Sequence, residues 1–329
     1  MIQLNDIPFS KNIALDWGSR FCYTWSDRKG YDTLSSQVWV NDKGEMQINV
    51  DNASKLNGRL YQVPTIKNGD ITDFKLCIKF LNQLITDNLN QFELAKPNLW
   101  VAISSSAHPS EIEGLEYVLK QAGAGKVKFI NQNLALAVHN NYNFGGLASQ
   151  FLMHVGHQTT LLSLISPGGF VMEREVLFGG QNLDSAIQDY VRRSYRLSIS
   201  PDDIEKIKKL LNPQNSRIEI WGQDLVTERI RSVELDFNEI WNQTKNLAED
   251  LANIIKSFIH DLPPELINDL VDNGIIMSGG TASFGRLRDY LQIRLGVNVY
   301  LSLDPSTAVI RGLKRIVDNR NEYLKSRFA

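Results

Sequence analysis

The chain has 329 residues, a length that favours two domains over one. Its composition, 43% hydrophobic and 22% charged, is typical of a globular protein, and a formal net charge of −2 gives no electrostatic basis for binding nucleic acid. The start of the chain lacks the pattern of a secretory leader, so we expect Cys22 and Cys77 to be reduced cytoplasmic thiols. No apolar run reaches the ~18–20 residues needed to cross a bilayer.

The first half of the chain alternates short apolar runs with longer amphipathic segments, which predicts strands followed by helices. A polar stretch, residues 33–65, is typical of a small subdomain. The predicted strands are residues 13–15, 21–25, 99–103 and 127–130, and the predicted helices are residues 73–89 and 109–122. In the first of these helices the apolar residues at helical spacing are Phe74, Cys77, Leu81, Leu84 and Ile85.

The second half continues the alternation, and its strand–turn–strand pattern at residues 151–165 repeats the one at residues 13–25. This repetition indicates a duplicated architecture with a cleft between two halves. Alternating strands and helices predict an α/β fold. The predicted strands are residues 151–155, 160–165 and 275–277, and the predicted helices are residues 183–195, 203–211, 240–259 and a last one that starts near Pro305.

Two glycine-containing turns that follow predicted strands are candidate phosphate sites. The carboxylate of Asp16, ahead of Gly18, can face a metal-bound phosphate, although an aspartate before a tight-turn glycine is also an ordinary structural feature. The Ser278-Gly279-Gly280-Thr281 step places a predicted helix N-terminus after a strand, where N–H groups can approach an anion. A plain left-handed turn is the alternative there.

Glu205 and Lys208 lie three residues apart in a predicted helix and therefore share one of its faces. Such a pair suits contacts to a ribose and an adenine. Taken alone, the spacing more often belongs to a solvated ion pair, so the surrounding motifs have to decide between the two.

The order and spacing of these motifs resemble the MreB-type bacterial actins, members of the actin, DnaK and sugar-kinase ATPase superfamily. The resemblance covers most of the chain. The segments that carry it are Gly-Asp-Ile-Thr-Asp-Phe at 69–74, Tyr-Val-Arg-Arg at 190–193, Glu-Lys-Ile-Lys at 205–208, Gly-Gln-Asp-Leu-Val-Thr at 222–227, residues 263–280, and Asp-Pro-Ser-Thr-Ala-Val-Ile-Arg-Gly at 304–312.

The resemblance implies an actin-like α/β fold, of the duplicated ribonuclease H-like kind, with two lobes of two subdomains around a nucleotide cleft. The implied subdomains are IA at residues 1–32 and 66–150, with the C-terminal helix 305–329 packing back on it, IB at 33–65, IIA at 151–181 and 245–304, and IIB at 182–244.

The resemblance also implies ATP or ADP with Mg²⁺ as the ligand. Asp16 falls in the family's first phosphate loop, where it would hold Mg²⁺ through a water molecule, and Arg20 and Phe21 replace small residues of that loop. The residues implied to contact the nucleotide are Ser19, Arg20, Phe21, His157, Gln158, Thr159, Glu205, Lys206, Ile207, Lys208, Gly279, Gly280, Thr281 and Ala282.

The second phosphate loop departs from the family pattern. Residues 154–160 resemble the superfamily's Asp-x-Gly-Gly-Gly-Thr-Thr turn, but His154 stands at the Asp position, and His157 and Gln158 replace two glycines. An imidazole cannot replace a carboxylate as the anchor of hydrated Mg²⁺, and the added side chains obstruct the approach of phosphate to the backbone. The two histidines would then fill the cleft or donate to phosphate without Mg²⁺.

Gln132 takes the place of the family's catalytic glutamate, after the predicted strand at 127–130. Eukaryotic actin has glutamine at the equivalent place, so Gln132 is a candidate for positioning water, and Asp16 is the other catalytic candidate. Losing a general base typically costs about 10²–10⁴-fold in rate. The sequence therefore predicts weak or absent ATPase activity.

Two apolar segments are candidates for membrane contact, because MreB-type proteins often bind the inner face of the membrane through an N-terminal helix or an apolar loop. Ile2, Leu4 and Phe9 cluster near the start of the chain. Phe92 and Leu94 lie where MreB-type proteins have the apolar membrane-binding loop. Packing of these two side chains into the protein core is the alternative. Each subunit would bind only marginally, and polymerisation would add the weak anchors together.

The resemblance implies a bacterial cytoplasmic protein, peripheral at the inner face of the membrane, that forms or joins filaments influencing cell shape and wall synthesis. The implied partners are further copies of the chain in protofilaments, a fully active MreB, and RodZ-like and MreC/MreD-like membrane proteins, with no nucleic acid.

Two alternatives stay open: a non-hydrolysing pseudo-actin that acts as a scaffold or filament regulator, and a filament that positions a plasmid or an organelle. A DnaK-type chaperone or a sugar kinase fits less well. The chain lacks room for a substrate-binding domain, and residues 183–329 follow the MreB pattern.

Overall fold

A computed structural model of the chain describes residues 11–48, 59–89 and 95–323. The chain divides into two compact units, one formed by the residues up to Tyr142 together with those from Thr307 onward, the other by Asn143–Ser306. The finer division into four subdomains stays a prediction. In the described ranges, no helix is long and apolar enough to cross a membrane.

The strands of the first unit form one large sheet and two small ones. In chain order they are β1 (Asn12–Trp17), β2 (Phe21–Ser26), β3 (Gly30–Ser35), β4 (Gln37–Asn41), β5 (Met46–Gln47), β6 (Leu60–Pro64), β7 (Ile66–Lys67), β8 (Asp70–Ile71), β9 (Asn98–Ile103) and β10 (Val127–Asn131). The large sheet has the order β10-β9-β1-β2-β3, in which β1, β2 and β3 are antiparallel and β9 and β10 run parallel to β1. The predicted strands of the first half are thereby confirmed.

The burial of these strands follows their positions in the sheet. β1 is buried along nearly its whole length because it lies between β9 and β2 with both faces covered, whereas β2 alternates buried and half-buried residues. Both cysteine thiols are free and buried. The polar stretch after residue 36 contributes the small sheet β5-β4-β6.

The helices of the first unit begin where the sequence places capping residues. α1 (Phe74–Asn88) starts after Asp73, whose Oδ1 accepts from the Leu76 amide at 2.8 Å, and α2 (Pro109–Gln121) starts with a capping box between His108 and Glu111. α3 (Gln132–His139) follows β10 directly. The helical stripe expected in α1 is correct except at Phe74, which is 49% exposed because it opens the first turn, ahead of the buried face that includes Phe80.

The second unit repeats the sheet of the first. Its strands are β11 (Gln150–Val155), β12 (Thr160–Ser166), β13 (Gly169–Val176), β14 (Leu197–Ser198), β15 (Arg217–Asp224), β16 (Ile230–Asp236), β17 (Ile275–Ser278) and β18 (Val299–Leu301). The large sheet has the order β13-β12-β11-β17-β18, with an antiparallel hairpin at β11–β12 and the parallel strands β17 and β18 on the other side. Each unit thus pairs a three-stranded meander with two parallel strands, which is the duplication that the sequence indicated.

Amphipathic helices cover the core of the second unit. They are α4 (Gly180–Tyr195), α5 (Pro201–Leu210), α6 (Phe237–His260), α7 (Ile267–Asn273) and α8 (Leu287–Leu295). The longest, α6, buries Leu251, Ile255 and Phe258 on the face that the sequence predicted. A separate three-stranded sheet, β14-β15-β16, packs on the same core through Ile220 and Leu235.

The chain ends by returning to the first unit through α9 (Ala308–Asp318) and the short α10 (Arg320–Tyr323). Arg315 of α9 donates to the carbonyls of Val138 and His139 and to Asn141 Oδ1, so its guanidinium satisfies the carboxyl end of α3. Gly312 lies directly against the backbone of Ala135 in α3, with no space for a side chain. The absence of a Cβ at Gly312 is therefore what lets the two helices approach.

We predict that Gly312→Ala destabilises the first unit by about 1–3 kcal/mol, because a methyl group at this position forces α9 and α3 apart. The measurement is the urea midpoint of the purified variant. Gly145→Ala is the matched control, since a Cβ there meets only Asn143 Oδ1, at an ordinary contact distance of 3.7 Å. Equal midpoints for the two variants would contradict the close approach of the helices.

Candidate functional site

The hairpin between β11 and β12 carries a tight turn, residues 156–159, in which the Gly156 amide donates to the Thr159 carbonyl at 2.9 Å. His157 and Gln158 form the tip of this turn and are both half-buried. The Gln158 side chain donates through Nε2 to Gln181 Oε1 at 2.8 Å. The two residues that replace family glycines therefore lie at the tip, where the sequence placed them.

The turn is held by the amino end of α4. The Gly180 amide donates to the Gly156 carbonyl at 2.9 Å, and the Gln181 amide donates to the His157 carbonyl at 2.7 Å. A Cβ on Gly179 would lie 2.7 Å from the His157 carbonyl oxygen, so this segment needs glycine to reach the turn. Sequence reasoning missed Gly179 and Gly180, although this glycine pair, like Gly279 and Gly280, comes soon after a strand.

A second glycine pair, Gly279 and Gly280, follows β17 and packs against the base of the turn. Gly279 has φ of +96°, and a side chain there would collide with the Val155 backbone. Thr281 donates its hydroxyl to the Gly156 carbonyl at 3.0 Å, and Thr281 and Ala282 are buried. The expected helix start after the glycines is wrong in type: Gly280–Ser283 is a 3₁₀ turn, and the next α-helix begins only at Leu287.

His154 lies on β11, just before the turn, with its ring against Gly156. Its Nδ1 lies 3.1 Å from the hydroxyl of Ser278, the residue paired with it on β17. Burial lowers the pKa of the His154 imidazole to about 4, so the ring is neutral at physiological pH. A neutral imidazole supplies none of the negative charge that a carboxylate would offer to hydrated Mg²⁺.

A row of charged groups extends from the turn to α5. His157 Nδ1 lies 3.8 Å from Asp184 Oδ2, and the other carboxylate oxygen of Asp184 forms a 2.7 Å ion pair with Lys208 Nζ. Lys208 also contacts Glu205 at 2.9 Å, while Lys209, which is mostly exposed, approaches Glu205 at 3.3 Å. The predicted pair of Glu205 and Lys208 is thus formed, and it is largely buried rather than solvated.

The environment keeps Glu205 ionised. Burial raises the pKa of its carboxyl, but the charges and hydrogen bonds of Lys208 and Lys209 outweigh burial and leave the pKa below its ordinary value. Of the intervening residues, Ile207 is fully buried in the core and Lys206 bonds to Asp203 at 3.2 Å. The side chain of Ile207 faces the interior of the unit, so any contact it makes with a ligand has to come from its backbone.

In the first unit, Asp16 is a buried residue near the end of β1. Burial raises the pKa of its carboxyl to about 7. The adjacent Trp17 is fixed by a 3.0 Å hydrogen bond from Nε1 to Thr65 Oγ1. A buried carboxyl with this pKa suits a site that receives a cation, because a nearby positive charge favours the ionised form.

The loop after Asp16 is closed by a hydrogen bond from the Gly18 amide to the Phe21 carbonyl, 3.1 Å long. Ser19 and Arg20 lie in this loop, half-buried, and the Arg20 guanidinium packs over the Phe21 ring at 5.7 Å. Gln132 is the first residue of α3, and Asn131 caps that helix by accepting from the Asn133 amide at 2.7 Å.

A metal site within the protein requires several donors close together. Among the side chains that the structure describes, no group of three His, Cys, Asp or Glu residues could hold a metal ion. The membrane candidates Ile2, Leu4, Phe9, Phe92 and Leu94 lie outside the described residues. Their role, like those of the predicted nucleotide contacts, stays a prediction.

Comparison with known proteins matches this chain to one family. A family model described as MreB/Mbl protein matches residues 12–325. The cell shape-determining protein MreB of Escherichia coli (strain K12) is 28% identical over 261 residues, which cover 78% of this chain and 75% of that protein. The cell shape-determining protein Mbl of Bacillus subtilis (strain 168) is 22% identical over 332 residues, covering 98% and 100% of the two chains.

Solved structures give the same result for the fold. MreB5 of Spiroplasma citri bound to ADP superposes with a TM-score of 0.85 at 22% identity, covering 96% of this chain and 99% of that one. The MamK double helical filament gives a TM-score of 0.75 at 14% identity, covering 94% and 99%. The predicted actin-like fold is confirmed.

We predict that the stability of the protein falls more steeply with acid than that of a His154→Asn variant. The imidazole pKa is about 4 in the fold and ~6.5 in the unfolded chain. Between these values the unfolded state binds more protons, so this stabilisation is complete above pH ~6.5 and is lost as pH falls towards 4, by up to about 1.4 kcal/mol per pH unit. Asparagine removes that titration.

The measurement is the urea midpoint of each protein between pH 4.5 and 7.5. His260→Asn serves as the control, since that ring is 87% exposed. Parallel pH profiles for the wild type and His154→Asn would show that the ring is not held neutral by burial.

Proposed function

The chain belongs to the MreB/Mbl family, and from this premise and the geometry of the 156–159 turn we propose that it is a cytoskeletal protein that binds ATP or ADP, hydrolyses ATP weakly or not at all, and forms or joins filaments. The observation that carries the proposal is a glycine-lined backbone cradle that is intact beside a loop whose carboxylate is replaced by His154. The cradle supports binding, and the replacement argues against turnover.

Nucleotide binding is supported by the fit of the residues to a phosphate and an adenosine. Two glycine pairs let neighbouring backbone pack against the turn, and one of them, Gly279-Gly280, belongs to the residues that the family resemblance assigns to the nucleotide. Glu205 and Lys208 form a buried, charged pair that can offer an acceptor and a donor to ribose and base. MreB5 of Spiroplasma citri, which shares the fold, has been solved with AMPPNP and with ADP.

The family pattern has two aspartates that would anchor hydrated Mg²⁺, and this chain keeps only the first of them, Asp16. The buried carboxyl of Asp16 suits a hydrated cation, which would neutralise phosphate charge. His154 does not suit such an ion, because its neutral ring offers no charge to the water shell. Gln132 can orient a water molecule but cannot take its proton, so both changes lower the rate of hydrolysis.

Filament formation and the influence on cell shape are supported by the relatives. MreB of Escherichia coli and Mbl of Bacillus subtilis are named cell shape-determining proteins, and MamK forms a double helical filament. We extend self-association into protofilaments to this chain, at the inner face of the bacterial membrane. We propose a fully active MreB and RodZ-like or MreC/MreD-like membrane proteins as its partners in this role.

A non-hydrolysing scaffold is the second candidate, and His154 is the specific observation that favours it. Such a protein would regulate filaments through its surfaces and would show no turnover under any condition. Phosphate release at high protein concentration separates the two candidates. Turnover that is abolished by Asp16→Ala would exclude the scaffold.

We predict that calorimetric titration detects ADP binding by the purified chain and that Lys208→Ala weakens it about tenfold or more, because a charge-assisted hydrogen bond to the ligand is lost. Lys209→Ala is the matched control: it lies next to Lys208, is 65% exposed, and should leave the affinity within about twofold. Binding that is undetectable in the wild type would overturn the proposal in favour of the scaffold.

We further predict that the triple variant His154→Asp, His157→Gly and Gln158→Gly raises ATP affinity or turnover, because it restores a metal anchor and opens the backbone of the turn to phosphate. Phosphate release and calorimetry of the variant and the wild type measure this. If both quantities are unchanged, the turn at 156–159 is not a phosphate loop.

A further inference from the structure

The imidazole of His154 has a ring edge to which the proposed function gives no role. The ring lies on β11 against Gly156, where a Cβ placed on Gly156 would lie 4.0 Å from the imidazole Nε2. Within the part of the chain that the structure describes, the ring makes a single hydrogen bond, between Nδ1 and Ser278 Oγ. The Nε2 edge is therefore the one directed towards the turn.

The hydrogen-bond network fixes which ring nitrogen carries the proton. Ser278 has one hydroxyl hydrogen, and its Oγ lies 3.2 Å from the Met153 carbonyl and 3.1 Å from His154 Nδ1. A carbonyl can only accept, so both contacts are hydrogen bonds only if Ser278 donates to Met153 and His154 Nδ1 donates to Ser278. The neutral ring then presents a lone pair at Nε2.

Neither residue paired with His154 on the neighbouring strands carries a charge. These residues are Leu161 of β12 and Ser278 of β17. The next titratable group along the turn is His157, which is directed to Asp184. Burial is the cause of the low pKa of His154, and a nearby anion would act in the opposite direction.

From this arrangement we infer that phosphate binding at the 156–159 turn is coupled to uptake of one proton by His154 Nε2, so that an imidazolium supplies positive charge at the position where a carboxylate would otherwise anchor hydrated Mg²⁺. The inference rests on the proposed function, because it assumes that a nucleotide phosphate reaches the turn. A lone pair repels a phosphate oxygen, whereas an N–H at the same position donates to it. The proton comes from the solvent or buffer and forms the Nε2–H bond, and no other covalent bond changes.

A bound phosphate can raise the pKa of His154 by the amount that this coupling requires. Without a ligand the pKa of the His154 ring is about 4. Protonation near pH 7 therefore requires the bound phosphate to raise this pKa by about three. One opposite charge at ~4 Å in a medium of effective dielectric constant ~20 supplies a shift of about that size. A terminal phosphate carries up to two charges above its second pKa of ~6, so the coupling does not need unusual geometry.

The test is calorimetric titration of ADP at pH 7.0, with EDTA present, in two buffers of different ionisation enthalpy. The difference in heat counts the protons exchanged per ADP bound. We expect the wild type to take up a substantial fraction of one proton, and His154→Asn and His154→Gln to take up none. His260→Asn, whose ring is 87% exposed, should match the wild type.

The affinity gives a second readout. Above the pKa of the bound state, the Kd of the wild type for ADP should rise about tenfold per pH unit, up to pH 9, while that of His154→Asn stays nearly flat. His154→Asp should exchange this pH dependence for a dependence on Mg²⁺. Thermal melting of each variant at pH 7.5 confirms that it is folded.

The outcomes are distinguishable. Binding of ADP without proton uptake overturns this inference and leaves the proposed function standing. Uptake that persists in His154→Asn and disappears in His157→Asn assigns the proton to the other ring and also overturns it. Absence of ADP binding in the wild type overturns the proposed function, and this inference with it.

Discussion

The carbonyl oxygen of Gly156 is the point on which the second unit's candidate site depends. It accepts from the Gly180 amide and from the Thr281 hydroxyl, so both of its lone pairs are used and three separate segments meet at one atom. Only glycine at positions 179, 180 and 279 lets these segments approach. The shape of the turn is therefore set by backbone hydrogen bonds and not by the side chains at its tip.

Because backbone hydrogen bonds set the shape of the turn, the loop can lose its family side chains and keep its conformation. His157 and Gln158 occupy the tip and make contacts of their own with Asp184 and Gln181. His154 is accommodated behind the turn because Ser278 satisfies its Nδ1. What changes is the charge: a half-buried, neutral ring stands where the family has a carboxylate, and the site has to balance phosphate charge in another way.

The sequence predicted most of the fold because the signals were local. The apolar run at residues 13–15, the helical spacing of apolar residues at 73–89 and the face of the long helix α6 are each decided by neighbouring residues, and the strand and both helices were predicted correctly. The features that the sequence did not predict depend on tertiary contacts. The exposure of Phe74 depends on what packs against α1, and the role of Gly179 and Gly180 depends on a turn more than 20 residues away.

By itself, the sequence determined the family, the duplicated α/β architecture and the loss of the carboxylate at residue 154, because motif order, periodicity and residue identity are all written in the chain. Only the tertiary structure decided that Glu205 and Lys208 form a buried pair with Asp184, that a 3₁₀ turn follows Gly279, and that His154 bonds to Ser278. Those features arise where segments up to 124 residues apart meet. The pKa and the tautomer of a ring are set by burial and by the partner it finds there.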